Sequence, residues 1–375
     1  MPPIYLLTGD NMTNSIYLFD RRETAPVKCG DITIGGNGPI SVQTMTKCDT
    51  RDVDTTVAQI RKAVACGAEI VRVAVVDDDA AKAIAEITKR VSCPIVADIH
   101  FDYKLALASL EAGAHKVRVN PGNIGGREPL LAVARKARSL GASIRLGVNS
   151  GSLEKDILAR YGAPSPEAMV ESARRHLAYL EDSGIQGIVL SLKSSRVKDT
   201  VRAYKLMAEY TRWPFHIGIT EAGPGASGIA RSAAGIGTLI ALGIGDTVRV
   251  SLTGDPCLEV SAAKDILQSM EARTFGPEII SCPTCGRTQV DLIPIAEQVS
   301  KSLRGLDAPI KVAVMGCPVN GPGEAREADI GVACGRGGGI LFSRGKVIRR
   351  VATDEIVDAL LELAKRYVEC PEGVN

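Results

Sequence analysis

The stretch between residues 40 and 270 repeats one unit, and that repeat leaves the chain very few architectures. Short runs rich in Val and Ile alternate with longer helical patterns. The helices tend to close on Gly followed by Ala or Ile: Gly67-Ala68, Gly113-Ala114, Gly141-Ala142, Gly184-Ile185 and Gly243-Ile244. Glycine just past a helix supplies the left-handed backbone that ends it, so each pair marks a helix-to-strand joint. The strands read as SVQTMT from residue 41, EIVRVAV from 69, PIVADIH from 94, HKVRVNP from 115, SIRLGVN from 143, GIVLSLK from 187, FHIGITE from 215 and TVRVSLT from 247. Eight strand-helix units are the number that closes a parallel (β/α)8 barrel of the TIM type. A doubly wound open sheet competes. It would need fewer strands or a nucleotide fingerprint, and no Gly-x-Gly-x-x-Gly opens the first helix.

Polar residues recur with even spacing at the strand ends: Asp98 with His100, Arg118 with Asn120, Arg145 with Asn149, His216 with Thr220, and Arg249 with Ser251. In a strand that spacing puts each set on one face, and at the C-terminal ends of barrel strands that face is the mouth where barrel enzymes react. Arg72, Arg118, Arg145 and Arg249 then converge with Lys193, while Asp98 and Glu221 are the obvious acids. A single strand arginine more often pairs with a carboxylate than with a ligand. Four on separate strands, with few acids nearby, point instead to a polyanion, because guanidinium groups bond phosphate oxygens two at a time. A small phosphorylated substrate follows. Asn120-Pro121-Gly122-Asn123 reads either as a plain turn or as a loop with backbone contacts to phosphate. His115 and His176 read as structural.

After residue 270 the repeat stops, and Arg273-Thr274-Phe275-Gly276-Pro277 reads as a linker. An amphipathic helix through Leu292, Ile295, Ala296, Val299 and Leu303, strands at Lys311–Met315 and 329–332, a hairpin through Ile340-Leu341-Phe342 and Val347-Ile348, and a last helix with Ile356, Leu360 and Leu363 make a small α+β domain. Its loops carry Cys282-Pro283-Thr284-Cys285-Gly286 and Gly316-Cys317-Pro318. Thiols two residues apart in a Pro/Gly turn can face one metal centre, and Cys317 ends a second such loop. From spacing alone, an iron-sulfur centre, a zinc knuckle completed by Cys334, and unmetallated thiols all remain open.

Charge and cysteine usage narrow the function class. Forty-five basic and 43 acidic residues give a net charge of +2, which provides no global field for nucleic acid or anionic lipid. Ten cysteines in 375 residues are too sparse for a disulfide scaffold, so Cys29, Cys48, Cys66, Cys93, Cys257 and Cys370 read as reduced small hydrophobes. The first residues lack the basic start and apolar core of a signal peptide, and no run reaches the roughly 20 apolar residues of a membrane helix. The expectation is a cytoplasmic protein of three segments: an N-terminal extension over 1–27 without fixed structure, a barrel over 28–270, and the α+β domain over 271–375.

The motifs ADIHFDY, VRVNPGNIG, GVNSGSLEKD, ITEAG, GIGDTVRVSL, CPTCGR and GCPVNGPGEA, in that order between residues 28 and 368, resemble the 4-hydroxy-3-methylbut-2-enyl diphosphate synthase family in its two-domain bacterial form. The resemblance implies reductive ring opening of a cyclic diphosphate, 2-C-methyl-D-erythritol 2,4-cyclodiphosphate. It implies one 4Fe-4S cluster per chain, held by Cys282, Cys285, Cys317 and Glu324, which leaves Cys334 out. It further implies a diphosphate clamp of Arg72, Arg118, Arg145, Lys193, Arg249 and Ser251, with Asn149 and Thr220 nearby. Glu221 is then the proton donor, with Asp98 and His100 around it. The implied partners are a flavodoxin or ferredoxin electron donor and a second copy of the chain, whose barrel mouth the cluster domain covers. Lys47-Cys48 departs from the family pattern after the first strand, as do the opening twenty-odd residues, where Met12 is another candidate start.

Overall fold

The computed structural model describes residues 20–306, 308–317 and 327–370. The chain divides into two compact units, Met1–Arg273 and Thr274–Asn375. In the first, eight parallel strands are built where the Val/Ile runs predict them: β3 (Ser41–Met45), β4 (Ile70–Ala74), β5 (Ile95–Ile99), β6 (Lys116–Val119), β7 (Ser143–Asn149), β8 (Ile188–Lys193), β9 (His216–Ile217) and β10 (Thr247–Val248). Their order is β8-β7-β6-β5-β4-β3-β10-β9, and a parallel bridge between Leu190 and Phe215 joins the two ends into a barrel. The five glycines at the predicted joints all take positive φ, between 66° and 104°. Helices α1 (Val53–Ala65), α2 (Asp78–Arg90), α3 (Tyr103–Glu111), α4 (Arg127–Ser139), α5 (Lys155–Tyr161), α6 (Pro166–Asp182), α7 (Val197–Ala208), α8 (Gly225–Ala241) and α9 (Pro256–Ser269) surround it. Side-chain caps start several of them: Asp52, Asp77, Asp102, Ser165 and Asp255 each accept a bond from a first-turn amide.

Strands β9 and β10 pair over two residues each, far less than their sequence runs suggest. The ladder breaks where the chains crowd: a Cβ on Gly218 would lie 2.3 Å from the Arg249 carbonyl oxygen. A hairpin, β1 (Val27–Cys29) and β2 (Ile32–Ile34), was not foreseen. Its Val27, Cys29 and Ile34 pack with Ile70, Val96 and Val189, all fully buried, at the N-terminal ends of barrel strands. The barrel floor is thereby stoppered, so its C-terminal end is the open mouth. Arg22 ties the preceding segment down through the carbonyls of Thr211 (2.7 Å) and Trp213 (2.8 Å) while lying over the Phe215 ring. Of the expected extension, residues 1–19 lie outside the described residues.

The second unit is one sheet of β11 (Glu278–Ser281), β12 (Lys311–Met315), β13 (Ile330–Gly335), β14 (Gly338–Ser343) and β15 (Lys346–Ala352), in that order. The first three are parallel and the last two antiparallel. Helix α10 (Leu292–Leu303) and the C-terminal helix Ile356–Glu369 cover one face, burying Val299, Leu303, Val312, Val332, Leu341, Leu360 and Leu363. Strand β11 was not foreseen. No described helix is long and apolar enough to cross a membrane.

The cysteine reading needs correction. Cys29 and Cys93 are buried as expected, but Cys66 and Cys257 are joined in a disulfide with Cα atoms 5.7 Å apart, and Cys370 is exposed. Helix packing brings the end of α1 to the start of α9, a proximity that 191 intervening residues hide from the sequence. A disulfide typically stabilises by about 2–4 kcal/mol through the unfolded chain, and a loop this long lies at or above the upper end. Cys257→Ser is therefore expected to lower the thermal midpoint by several degrees, and a reductant should shift wild type but leave the variant unmoved. Identical midpoints with and without reductant would mean the bond contributes nothing.

Candidate active site and thiol loops

The barrel mouth gathers the strand arginines as the spacing predicts. Asp98, at the end of β5, is 4% exposed and lies 3.3 Å from Arg118 Nη1, 3.8 Å from Arg72 Nε and 3.4 Å from His100 Nε2. Burial pushes the Asp98 carboxyl up, but Arg72, the His100 contact, Arg118 and Arg145 together hold it well below the usual carboxylate range. Asp98 is thus an ionised anchor for cations. Arg118 also donates to the Gly147 carbonyl (3.3 Å), and only glycine fits there, since a Cβ would stand 2.6 Å from Arg118 Nε.

Arg145 on β7 is 1% exposed, and neither Nε nor Nη1 has a hydrogen-bond partner among the described residues. Burial, then Arg72 and Arg118, push its pKa well below the guanidinium norm. Lys193 at the end of β8 is buried too. Its pKa is driven well down by desolvation and then by Arg145, Arg72, Arg249 and Arg118. Gly218 leaves room for it, because a Cβ there would meet Lys193 Nζ at 3.0 Å. Arg249 is lowered to about 10 by burial and Arg72, against the opposing pull of Glu259. Deeper in the barrel, His216 has no partner at either ring nitrogen among the described residues, and burial and then Lys193 lower its pKa well below the usual imidazole range.

The remaining expected residues sit on the rim. Asn149 ends β7 opposite Lys193, and Thr220 and Ser251 are half-buried; none of the three side chains makes a hydrogen bond among the described residues. Glu221 is exposed with φ 52°, a conformation that non-glycine residues hold only under constraint. Glu259 and Lys47 were missed. Glu259 Oε1 lies 2.7 Å from Lys47 Nζ, and both Glu259 oxygens bond Arg249 at 3.2 Å. The signal was present in the helical pattern, where Glu259 occupies a core position beside Val260, Ala263 and Ile266.

In the second unit, β11 and β12 run parallel with Ser281 opposite Val314, so the loops after them leave from the same end. Backbone bonds stitch those loops together: the Cys282 amide to Val314 O (3.3 Å), the Gly316 amide to Cys282 Sγ (3.3 Å), and the Gln289 amide to Gly316 O (3.0 Å). Thr284 takes φ 60° between the paired cysteines, and Cys285 and Thr288 close a tight turn. Cys285 is exposed, Cys282 half-buried and Cys317 buried. A cavity of about 330 Å³ beside Cys317 is lined by Arg287, Thr288, Gln289 and Arg336. Cys334 lies fully buried in the core, where desolvation pushes its thiol up to about 11. Glu324 lies outside the described residues.

A single zinc ion would draw its sulfurs to within about 4 Å of one another. Among the described residues, no three Cys, His, Asp or Glu side chains are gathered to hold one ion. Three thiols on two stitched loops are ligands of the type that hold zinc or iron-sulfur centres.

Both units match known proteins. Residues 24–264 match the family description "GcpE TIM-barrel domain", and residues 278–366 match "GcpE protein C-terminal domain". A relative from Clostridium tetani is 51% identical over 92% of this chain and 99% of its own length. One from Maridesulfovibrio salexigens is 54% identical over 90% of this chain and 94% of its own. One from Bacillus subtilis is 51% identical over 91% and 90%. All three bear the name 4-hydroxy-3-methylbut-2-en-1-yl diphosphate synthase (flavodoxin).

Because Asp98 is depressed in the fold, its stabilising contribution is complete above the unfolded carboxylate value of about 3.9 and is lost as pH falls through its folded value, in strong acid. Asp98→Asn strands Arg118 and Arg72 and should destabilise by about 3–5 kcal/mol, by a constant amount between pH 5 and about 8. Denaturant unfolding measures this. A gap that closes on acidification to pH 5 would show that Asp98 is not held ionised.

Proposed function

This chain belongs to the GcpE family, and from that membership we propose that it opens the ring of 2-C-methyl-D-erythritol 2,4-cyclodiphosphate reductively. The product is 4-hydroxy-3-methylbut-2-enyl diphosphate, an isoprenoid precursor. The observation that carries the reading is the charge of the barrel mouth. Arg72, Arg118, Arg145, Lys193 and Arg249 stand there against the anchoring carboxylates of Asp98 and Glu259. A diphosphate supplies the missing negative charge, and Arg145, with two unpartnered nitrogens, supports a bidentate contact to it.

In this reading Cys282, Cys285, Cys317 and Glu324 would hold one four-iron four-sulfur cluster per chain, and the stitching of the two loops that carry the three thiols supports it. Bound there, such a cluster would supply electrons one at a time and Lewis acidity, a carboxylate being a more weakly held iron ligand than thiolate. Flavodoxin, named for the relatives, is the electron donor in this reading. The chain's own residues do the rest. The arginines and Lys193 clamp and neutralise the diphosphate, with Ser251, Thr220 and Asn149 on the rim to orient it. Asp98 holds Arg118 and His100 in place instead of giving up a proton. Glu221, exposed on the rim, protonates the oxygen of the departing hydroxyl.

The two sets of residues act together in a homodimer, the cluster unit of one subunit serving the barrel of the other and excluding water from it. A structural zinc module on a redox-silent barrel is not favoured by the comparisons.

Protein purified without oxygen should contain about four irons and four sulfides per chain, with the visible absorbance of a cluster. Adding the cyclodiphosphate to reduced protein should change its electron paramagnetic resonance signal. Stoichiometric zinc without colour would overturn the reading. The dimer has its own test, the mixing of two inactive variants, Arg118→Ala and Cys285→Ser. Subunit exchange should restore about a quarter of wild-type turnover when sites are built across subunits. No recovery after verified exchange would place both halves of a site in one chain.

A further inference from the structure

Glu259 is a buried acid that the proposed chemistry does not use. It stands near the start of α9 with a side chain 0% exposed, and each of its oxygens accepts several bonds. Oε1 takes Lys47 Nζ (2.7 Å), the Leu252 amide (3.0 Å) and Arg249 Nη2 (3.2 Å). Oε2 takes Thr44 Oγ1 (2.8 Å) and Arg249 Nε and Nη2 (3.2 Å each). The donors come from β3, from the loop after it, and from the chain following β10, so one carboxylate joins both sides of the seam where the first and last barrel strands pair.

A carboxylate saturated in this way has no lone pair left for a substrate proton. Its effect passes through Arg249, whose Nε and Nη2 it engages while Nη1 makes no hydrogen bond among the described residues. Lys47, which the sequence marked as a departure from the family pattern, closes the same bracket. It bonds Glu259 and the Leu252 carbonyl (3.2 Å) while remaining 36% exposed at the mouth.

We propose that Glu259 is a positioning residue for diphosphate binding, fixing Arg249 with Nη1 turned to the ligand, and that Lys47 locks it in that state. The inference rests on the proposed diphosphate site. It also competes with a simpler role, in which Glu259 only offsets positive charge, and the two roles predict opposite signs. Removing a mere counter-ion makes the mouth more positive and tightens anion binding. Removing a positioning group frees Arg249 and weakens binding.

The test is calorimetric titration of the cyclodiphosphate into the cluster-loaded protein without reductant, where no turnover occurs. Glu259→Gln should raise Kd about tenfold, and Lys47→Met about threefold. In steady state the loss should fall on KM with kcat within about twofold, as for uniform binding. Against an Arg249→Met background, Glu259→Gln should add nothing, since its effect runs through that residue. Tighter or unchanged binding in Glu259→Gln, or additive effects with Arg249→Met, would overturn the proposal. If Glu259→Gln does not fold, Thr44→Val carries the same test, since it loosens Glu259 without changing the charge, and unchanged binding there would overturn it. A wild-type protein that binds no cyclodiphosphate refutes the parent reading instead, so the two failures are distinguishable.

Discussion

Buried positive charge without enough negative charge is the constraint on which the first unit depends. Arg145 and Lys193 are sealed inside the barrel among other cations, and the acids that face them, Asp98 and Glu259, are already committed to Arg118, Arg72 and Arg249. Leaving a charge in a low-dielectric interior without a partner costs several kcal/mol. A fold retains such a column when a ligand completes it, which is why the cations are the strongest statement the molecule makes about its substrate.

The scaffold converges on holding those side chains still. The hairpin of β1 and β2 stoppers the barrel floor, so the open end lies at the strand C-termini. Gly147 and Gly218 give up their own side chains to make room for Arg118 and Lys193, and Glu259 fastens the seam at Arg249. In the second unit the same economy appears in backbone form. Parallel β11 and β12 deliver two thiol loops to one end, and amide bonds between the loops fix Cys282 beside Gly316.

Much of this was legible in the chain. The glycine joints and Val/Ile runs yield eight strands and their order because those signals are local, set by one helix ending or one strand alternating. The even spacing of Arg118, Arg145 and Arg249 with their neighbours placed them on the inner face for the same reason. Signals that needed two distant segments were missed or misread. The Cys66–Cys257 bond joins residues 191 apart, and Lys47 looked like an oddity until α9 brought Glu259 to it.

The sequence by itself determined the barrel, the α+β unit, the cation-rich mouth and the two thiol loops, since periodicity and residue type dictate secondary structure and facing. Only the tertiary structure decided how the charges pair: Asp98 as the partner of Arg118 and Arg72, Cys334 as a core thiol, and Glu259 as the clasp on Arg249. Burial and ion pairing depend on what the folded chain packs against a group, and that neighbourhood is written nowhere along the sequence.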